Sequence, residues 1–285
     1  MEVGHLSALH RYPVKSLMGE SLETATLGPK GIPGDRAWAV RDEARGGIQG
    51  AKKIPSLMNC AARYLEEPSQ DHVPPPQITL PDGSRFLASD EKAAARLSAA
   101  TGRELTLWPL LPPDALDHYR RSPPDDPDFE KELRAIFARE PGEPLPDIGK
   151  FPPEILQYES PPGTYFDAFP LVLLSEASLA GMSKAAPESR FDVRRFRPNL
   201  LLQTSGDDAF PEAAWGGRKL RIGEAVLDVV MECPRCVMTT HGFADLPEDR
   251  RIMRALVRET GGNLGAYAVV ARAGRVEVGD AIVLE

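Results

Sequence analysis

The sequence predicts a mostly β protein with peripheral helices (α+β), built as two β-barrel-like domains. Three observations carry that expectation. Between Arg41 and Phe86, short strand-like runs alternate with glycine and proline turns, as in a small barrel. Beyond residue 165, apolar strand-like runs recur at Phe169–Leu174, Leu200–Leu202, Ala225–Val230 and Tyr267–Ala271. Between these regions, from Pro109 to Pro162, lie 13 of the chain's 28 prolines, a density incompatible with the centre of a sheet. A length of 285 residues suits two domains of about 150 each. The expected boundaries are 1–110, a partly helical connecting region over 111–165, and 166–285.

Val3 to Val14 reads as extended, with Pro13 marking its edge. Gly28 to Asp35 is turn chemistry that delivers Arg36 to the start of the strand Ala37–Val40. Asp90 to Ala100 reads as a helix that Asp90 caps and Gly102 stops. In the proline-rich region, Asp126-Pro127 reads as a cap with proline at the first helical position. Phe129, Leu133, Ile136 and Phe137 then share one face, which is expected to pack on one of the barrels. The strand from Phe169 runs into Ser175, an N-cap for a helix ending before Pro187. Free N–H groups at such a start make an anion site. Leu220–Glu224 reads as a hairpin turn, Asp245–Glu248 as a helix start, and Tyr267–Ala271 with Val276–Leu284 as a closing hairpin-like pair.

Composition narrows the function classes. At 42% hydrophobic and 27% charged residues the chain is an ordinary globular protein with no apolar run approaching the ~20 residues of a membrane span. A formal net charge of −8 argues against nucleic acid as the main partner, since phosphate backbones demand excess Lys and Arg. Any small anion therefore needs a local basic pocket. Three cysteines, an odd number, fit a reducing compartment, and Met1–His5 begins no signal or transit peptide, so the cytoplasm is the expected location.

The chemistry concentrates at Cys233-Pro234-Arg235-Cys236, where the strand Ala225–Val230 ends. A C-x-x-C there serves as a redox dithiol, as half of a zinc site, or as a thiolate ligand for a soft metal. Zinc is disfavoured, because only Cys60, read as a core thiol, and five scattered histidines remain to complete a four-ligand site. A redox dithiol belongs at a helix start beside a βαβ pattern, which is not found here. A metal-ligating cysteine survives, and Arg194, Arg195 and Arg197 form the best candidate phosphate clamp.

Five short stretches, in order, resemble the motifs of the MOSC family. Arg195-Phe196-Arg197-Pro198-Asn199, Leu220-Arg221-Ile222-Gly223 and Cys233–Thr240 resemble the MOSC domain. Tyr12–Ser16 and Gly34–Trp38 resemble the β-barrel domain that precedes it. The module occurs in molybdenum-cofactor sulfurases and mitochondrial amidoxime-reducing components. The resemblance implies a molybdenum–molybdopterin cofactor with Cys236 as catalytic metal ligand. It implies cofactor contacts from Lys15, Ser16, Arg36, Ser175, Glu176, Ser178, Arg197, Asn199, Arg235 and Tyr267. It further implies reduction of small N-hydroxylated substrates, with electrons from a separate flavin, iron–sulfur or haem donor protein. Two readings of other classes stay beside it: a persulfide carrier through Cys236, and a cofactor store without turnover.

Overall fold

In the computed structural model, which describes residues 1–285, a ten-residue strand β1 (Glu2–Arg11) opens the chain and stops just before Pro13. Short strands follow: β2 (Glu20–Leu22), β3 (Thr24–Leu27), β4 (Trp38–Asp42) and β5 (Gly47–Gln49), then β6 (Ala61–Arg63), β7 (Gln77–Thr79) and β8 (Arg85–Leu87). After α1 (Ala93–Thr101) and β9 (Leu105–Pro109), the proline-rich segment contributes α2 (Leu116–Tyr119) and α3 (Phe129–Phe137). The remainder holds β10 (Leu171–Ser175), α4 (Glu176–Ala185), α5 (Val193–Phe196), β11 (Leu200–Thr204) and β12 (Lys219–Ile222). It closes with β13 (Ala225–Pro234), α6 (Arg251–Thr260), β14 (Asn263–Arg272), β15 (Gly274–Glu277) and β16 (Ala281–Leu284). No helix is long and apolar enough to cross a membrane.

Seven strands close a barrel in the order β11-β10-β14-β13-β12-β16-β1, with β1 returning to β11 and β2 added beside β1. Its interior is filled by period-2 side chains such as Leu6, Leu173, Leu200, Leu202, Leu220, Leu227 and Ile282. Without β1, both β11 and β16 would expose an unpaired edge. A strand from the first expected domain thus completes the barrel of the second. Likewise β15 pairs with β3, and Met238, Phe243 and Leu246 enter the N-terminal core. A cut at residue 110 therefore does not separate two independent sheets. The N-terminal half carries the sheets β5-β4-β9 and β6-β7-β8 around Leu17, Val40, Leu57, Met58 and Phe86.

Several local expectations are corrected. The Asp90 carboxylate accepts from Leu87 N–H, so it does not cap α1, although Gly102 ends that helix in the left-handed region as expected. The cap of α3 is Asp128, whose side chain accepts from Glu130 and Lys131 N–H, and Pro127 lies outside the helix. The apolar stripe of α3 does not pack on a barrel: Phe129 is 62% exposed, and the one buried residue of the helix is Glu132. Asp245–Glu248 is a loop, because Leu246 is drawn into the N-terminal core; the helix begins at Arg251. The closing hairpin is absent, since β14 pairs with β10 and β13, β15 with β3, and β16 with β1 and β12.

Candidate functional site

Four segments converge where β13 ends. Register shifts at Val229/Met231 and Glu232/Pro234 bulge β13, and bulges re-aim side chains beside a site. They leave Cys233 buried and Cys236 half-buried. From the second segment, just beyond β1, Ser16 (φ 71°) turns the chain so that Lys15 points inward. The ammonium of Lys15 donates to Tyr165 O at 2.8 Å, Asp167 Oδ1 at 2.8 Å and Ser160 Oγ at 3.3 Å. The third and fourth bring Arg36 (φ 48°) and Arg197 (φ 53°), both in the left-handed region that non-glycine residues rarely adopt. Backbone strain recurs at functional sites, and here it sits at three of the expected cofactor residues.

The arginines are differently held. Arg36 pairs with Asp35, whose carboxylate also accepts from Tyr12 N–H at 2.7 Å and from Asn199 Nδ2 at 3.0 Å. Asn199 is fully buried behind Arg36, so it positions the cluster and does not face the cleft. Arg36 and Arg197 both stack on the Tyr12 ring, at 5.0 and 4.1 Å, and burial pushes that phenol up to about 12. Arg197 Nη1 donates to Leu17 O at 2.7 Å and, weakly, to Met18 Sδ at 4.0 Å, and its Nη2 has no partner. Arg235 donates to Leu264 O at 2.7 Å and Phe196 O at 2.9 Å, and its Nη2 is likewise unpartnered. Two buried guanidinium nitrogens without acceptors are costly, and they mark where an anion fits.

These groups wall a narrow cleft of about 80 Å³ that includes Lys15, Ser16, Arg36, Arg197, Arg235, Cys236 and Tyr267. A second cleft of about 300 Å³ lies under α3, and the two share Asp167, Pro234, Cys236 and Tyr267. Burial holds the Cys233 thiol and the Tyr267 phenol above their ordinary values, so both are neutral at pH 7. At Asp167 the burial that favours protonation is outweighed by Lys15 and Lys52, which hold the carboxyl well below its usual range.

Of the expected contacts, the structure gathers Lys15, Ser16, Arg36, Arg197, Arg235, Cys236 and Tyr267 around one cleft. It does not bring Ser175, Glu176 and Ser178 there. Glu176 is exposed, and two N–H groups at the start of α4 are taken internally: Ser175 Oγ accepts from Ser178 N–H at 2.9 Å, while buried Glu212 accepts from Ser175 N–H at 3.2 Å. The Glu212 carboxylate thus already takes the cap residue's own N–H. No group of three or more His, Cys, Asp or Glu forms a site that would suit zinc. Sequence reasoning missed Asp167 and Lys52, which no local signal distinguishes from other charged loop residues; Asp35 was readable as a neighbouring carboxylate able to pair with Arg36, and the structure makes that pair.

Residues 162–283 match the model of the MOSC domain, and residues 3–99 match that of the MOSC N-terminal beta barrel domain. The chain is 38% identical to Homo sapiens mitochondrial amidoxime reducing component 2, covering 84% of this chain and 67% of that one. It is 27% identical to the Bos taurus protein of the same name, covering 99% of this chain and 83% of that one. To the molybdenum cofactor sulfurase of Oryza sativa subsp. japonica it is 25% identical, and it spans only 28% of that protein.

Proposed function

The chain belongs to the MOSC family, and from that premise we propose that it is a molybdenum-cofactor-dependent oxidoreductase. Its reaction is the reduction of N-hydroxylated compounds, amidoximes and hydroxylamines, with electrons from a separate donor protein. The observation that carries the reading is Cys236, set where a cleft with two unpartnered guanidinium nitrogens meets a roomier one. Soft molybdenum suits a thiolate, and the free Nη2 atoms of Arg197 and Arg235 suit a phosphorylated pterin, so the donor set fits the cofactor. When bound, the cofactor supplies two-electron oxygen-atom transfer.

The chain's own residues then have separate tasks. Cys236 holds the metal; Arg36, Arg197 and Arg235 hold anionic and polar edges of the pterin; Asn199 and Asp35 fix Arg36. Tyr267 and Cys233, both neutral, close the apolar side. Reduction of N–OH to N–H releases water and consumes two electrons and two protons. Asp167, paired with Lys52 at 3.3 Å, lines both clefts beside Cys236. The reducing cytoplasm is the proposed location, and all three cysteines are unpaired.

Elemental mass spectrometry of protein from a molybdopterin-competent host tests this. About one molybdenum per chain is expected, lost in Cys236→Ala and retained in Cys233→Ala. Loss in Cys233→Ala alone would overturn the ligand assignment. No molybdenum, with a titratable persulfide on Cys236, would establish the sulfur carrier instead. Molybdenum without reduction of benzamidoxime by a chemical reductant would leave a store. NADH oxidation by the lone protein would rule out the separate donor.

A further inference from the structure

Asp167 is one carboxylate between two ammonium groups. Lys15 Nζ meets its Oδ1 at 2.8 Å, and Lys52 Nζ meets the same oxygen at 3.3 Å. The nearer partner is the better bound. Lys15 is buried, and its N–H bonds end on Asp167 Oδ1, Tyr165 O and Ser160 Oγ. Burial lowers the Lys15 ammonium and Asp167 opposes that shift; three acceptors match the three donors of the charged form. Lys52 has only the longer ion pair, and its side chain stays 24% exposed. At Lys52 the burial that disfavours charge is outweighed, first by Asp167, so this ammonium is charged at pH 7.

Lys52 lines the wider cleft under α3 and not the narrow one, where the free nitrogens of Arg197 and Arg235 lie. The other charges around the wider cleft are matched. Arg121 pairs with Glu159 at 2.8 Å, Lys53 with Glu132 at 2.7 Å, and Arg45 with Asp125 at 2.5 Å. Three cations meet three carboxylates, and the two lysines on Asp167 leave one positive charge over. It is carried at Lys52, within a chain whose net charge is −8. A partly desolvated ammonium short of acceptors is stabilised by an anion brought against it. The surplus is a single charge, which one carboxylate balances. The room, about 300 Å³, exceeds a bare oxyanion and suits a small organic body. Cys236 lines the same cleft, so a ligand held at Lys52 is held within reach of that wall.

We propose that Lys52 is an anion-recognition residue of the wider cleft, and that the cleft selects organic monocarboxylates over their neutral relatives. Carried to the proposed function, on which this step rests, the favoured substrates are N-hydroxylated compounds that also bear one carboxylate. The carboxylate lies on Lys52 and the N–OH group is turned toward Cys236. Selection by charge rests on Lys15, Lys52 and Asp167 alone.

The test is a calorimetric titration of the full chain, as purified from a molybdopterin-competent host, with 4-phenylbenzoate and with 4-phenylbenzamide, a neutral relative of equal size. The carboxylate is expected to bind about tenfold more tightly or better, the worth of one charge-assisted hydrogen bond. Lys52→Gln should remove that preference while its melting curve shows a folded protein, and Lys52→Arg should keep it. Formate at equal concentration should not displace 4-phenylbenzoate, because it has no body to place in the cleft. Absence of carboxylate binding, equal affinity for the amide, a preference that survives Lys52→Gln, or displacement by formate would each overturn the proposal. Neither metal content nor turnover is read, so failure of the molybdenum reading leaves a charge preference standing, and an absent preference leaves the molybdenum reading standing.

Discussion

Replacing Arg197 and Arg195 in turn by methionine separates a cofactor-holding arginine from a structural one. The two are buried alike, at 7% and 1% exposure. Arg195 uses every nitrogen: Nε donates to Arg190 O, Nη1 to Thr239 O and His241 O, and Nη2 to Pro247 O. Losing four bonds at about 1 kcal/mol each, with the carbonyls left dry, predicts a destabilisation of at least about 4 kcal/mol for Arg195→Met. Arg197 makes one such bond and one ring contact, with Tyr12. Against that loss of about 2 kcal/mol stands removal of a buried, unpartnered Nη2, which returns about 1–3 kcal/mol. The same strain depresses the guanidinium to about 10, chiefly through burial. The net for Arg197→Met is therefore within about 1 kcal/mol of zero. Urea unfolding of the metal-free variants measures both values, and elemental analysis of the loaded protein measures retention. The expected pattern is an unstable Arg195→Met and a stable Arg197→Met that no longer holds molybdenum. An Arg197→Met protein as unstable as Arg195→Met would refute the reasoning, because the arginine would then be a structural clip.

Asp167 has a folded-state pKa below its unfolded value, so its contribution to stability is present above about pH 4 and is lost as pH falls further. The melting temperature of Asp167→Asn should accordingly depend less on pH between about 5 and 3 than that of the wild type; parallel curves would remove the Lys15–Asp167–Lys52 account. Burial raises the Cys60 thiol to about 11 and also raises Cys233. In native metal-free protein at pH 8, one thiol of the three should react rapidly with an aromatic disulfide reagent, and Cys236→Ala should abolish that phase. Gly265 has φ 77°, and a Cβ there would meet Leu173 O at 2.4 Å and Arg235 Nη2 at 3.0 Å. Gly265→Ala should cost about 2 kcal/mol or more in urea unfolding and also lower molybdenum content, since Arg235 must move. Full metal retention would argue against a role for Arg235.

The parts of this molecule that were legible in the sequence are those whose cause is local. Proline and glycine stop strands wherever they occur, so the strand runs and the Gly102 helix stop appear in the chain as they do in the structure. Motif order located Arg197, Arg235 and Cys236, which the structure gathers at one cleft. What failed depended on partners far along the chain. The Ser175 cap is real, but its own N–H is taken by Glu212, 37 residues away, and neither Ser175 nor Ser178 lines the cleft. The period of α3 was readable because side-chain direction follows helix geometry, whereas its destination was not, because periodicity says that a face is apolar and not what it faces. A core-facing helix and a cleft-facing helix carry the same pattern. They differ in what surrounds the stripe: Glu132, Lys53 and Arg139 anchor α3 through charge and hydrogen bonds, leaving its apolar face only half-buried, along the cleft that reaches Cys236. A helix held in this way keeps its apolar side open without collapsing onto the barrel, which a binding cleft requires and a core would eliminate.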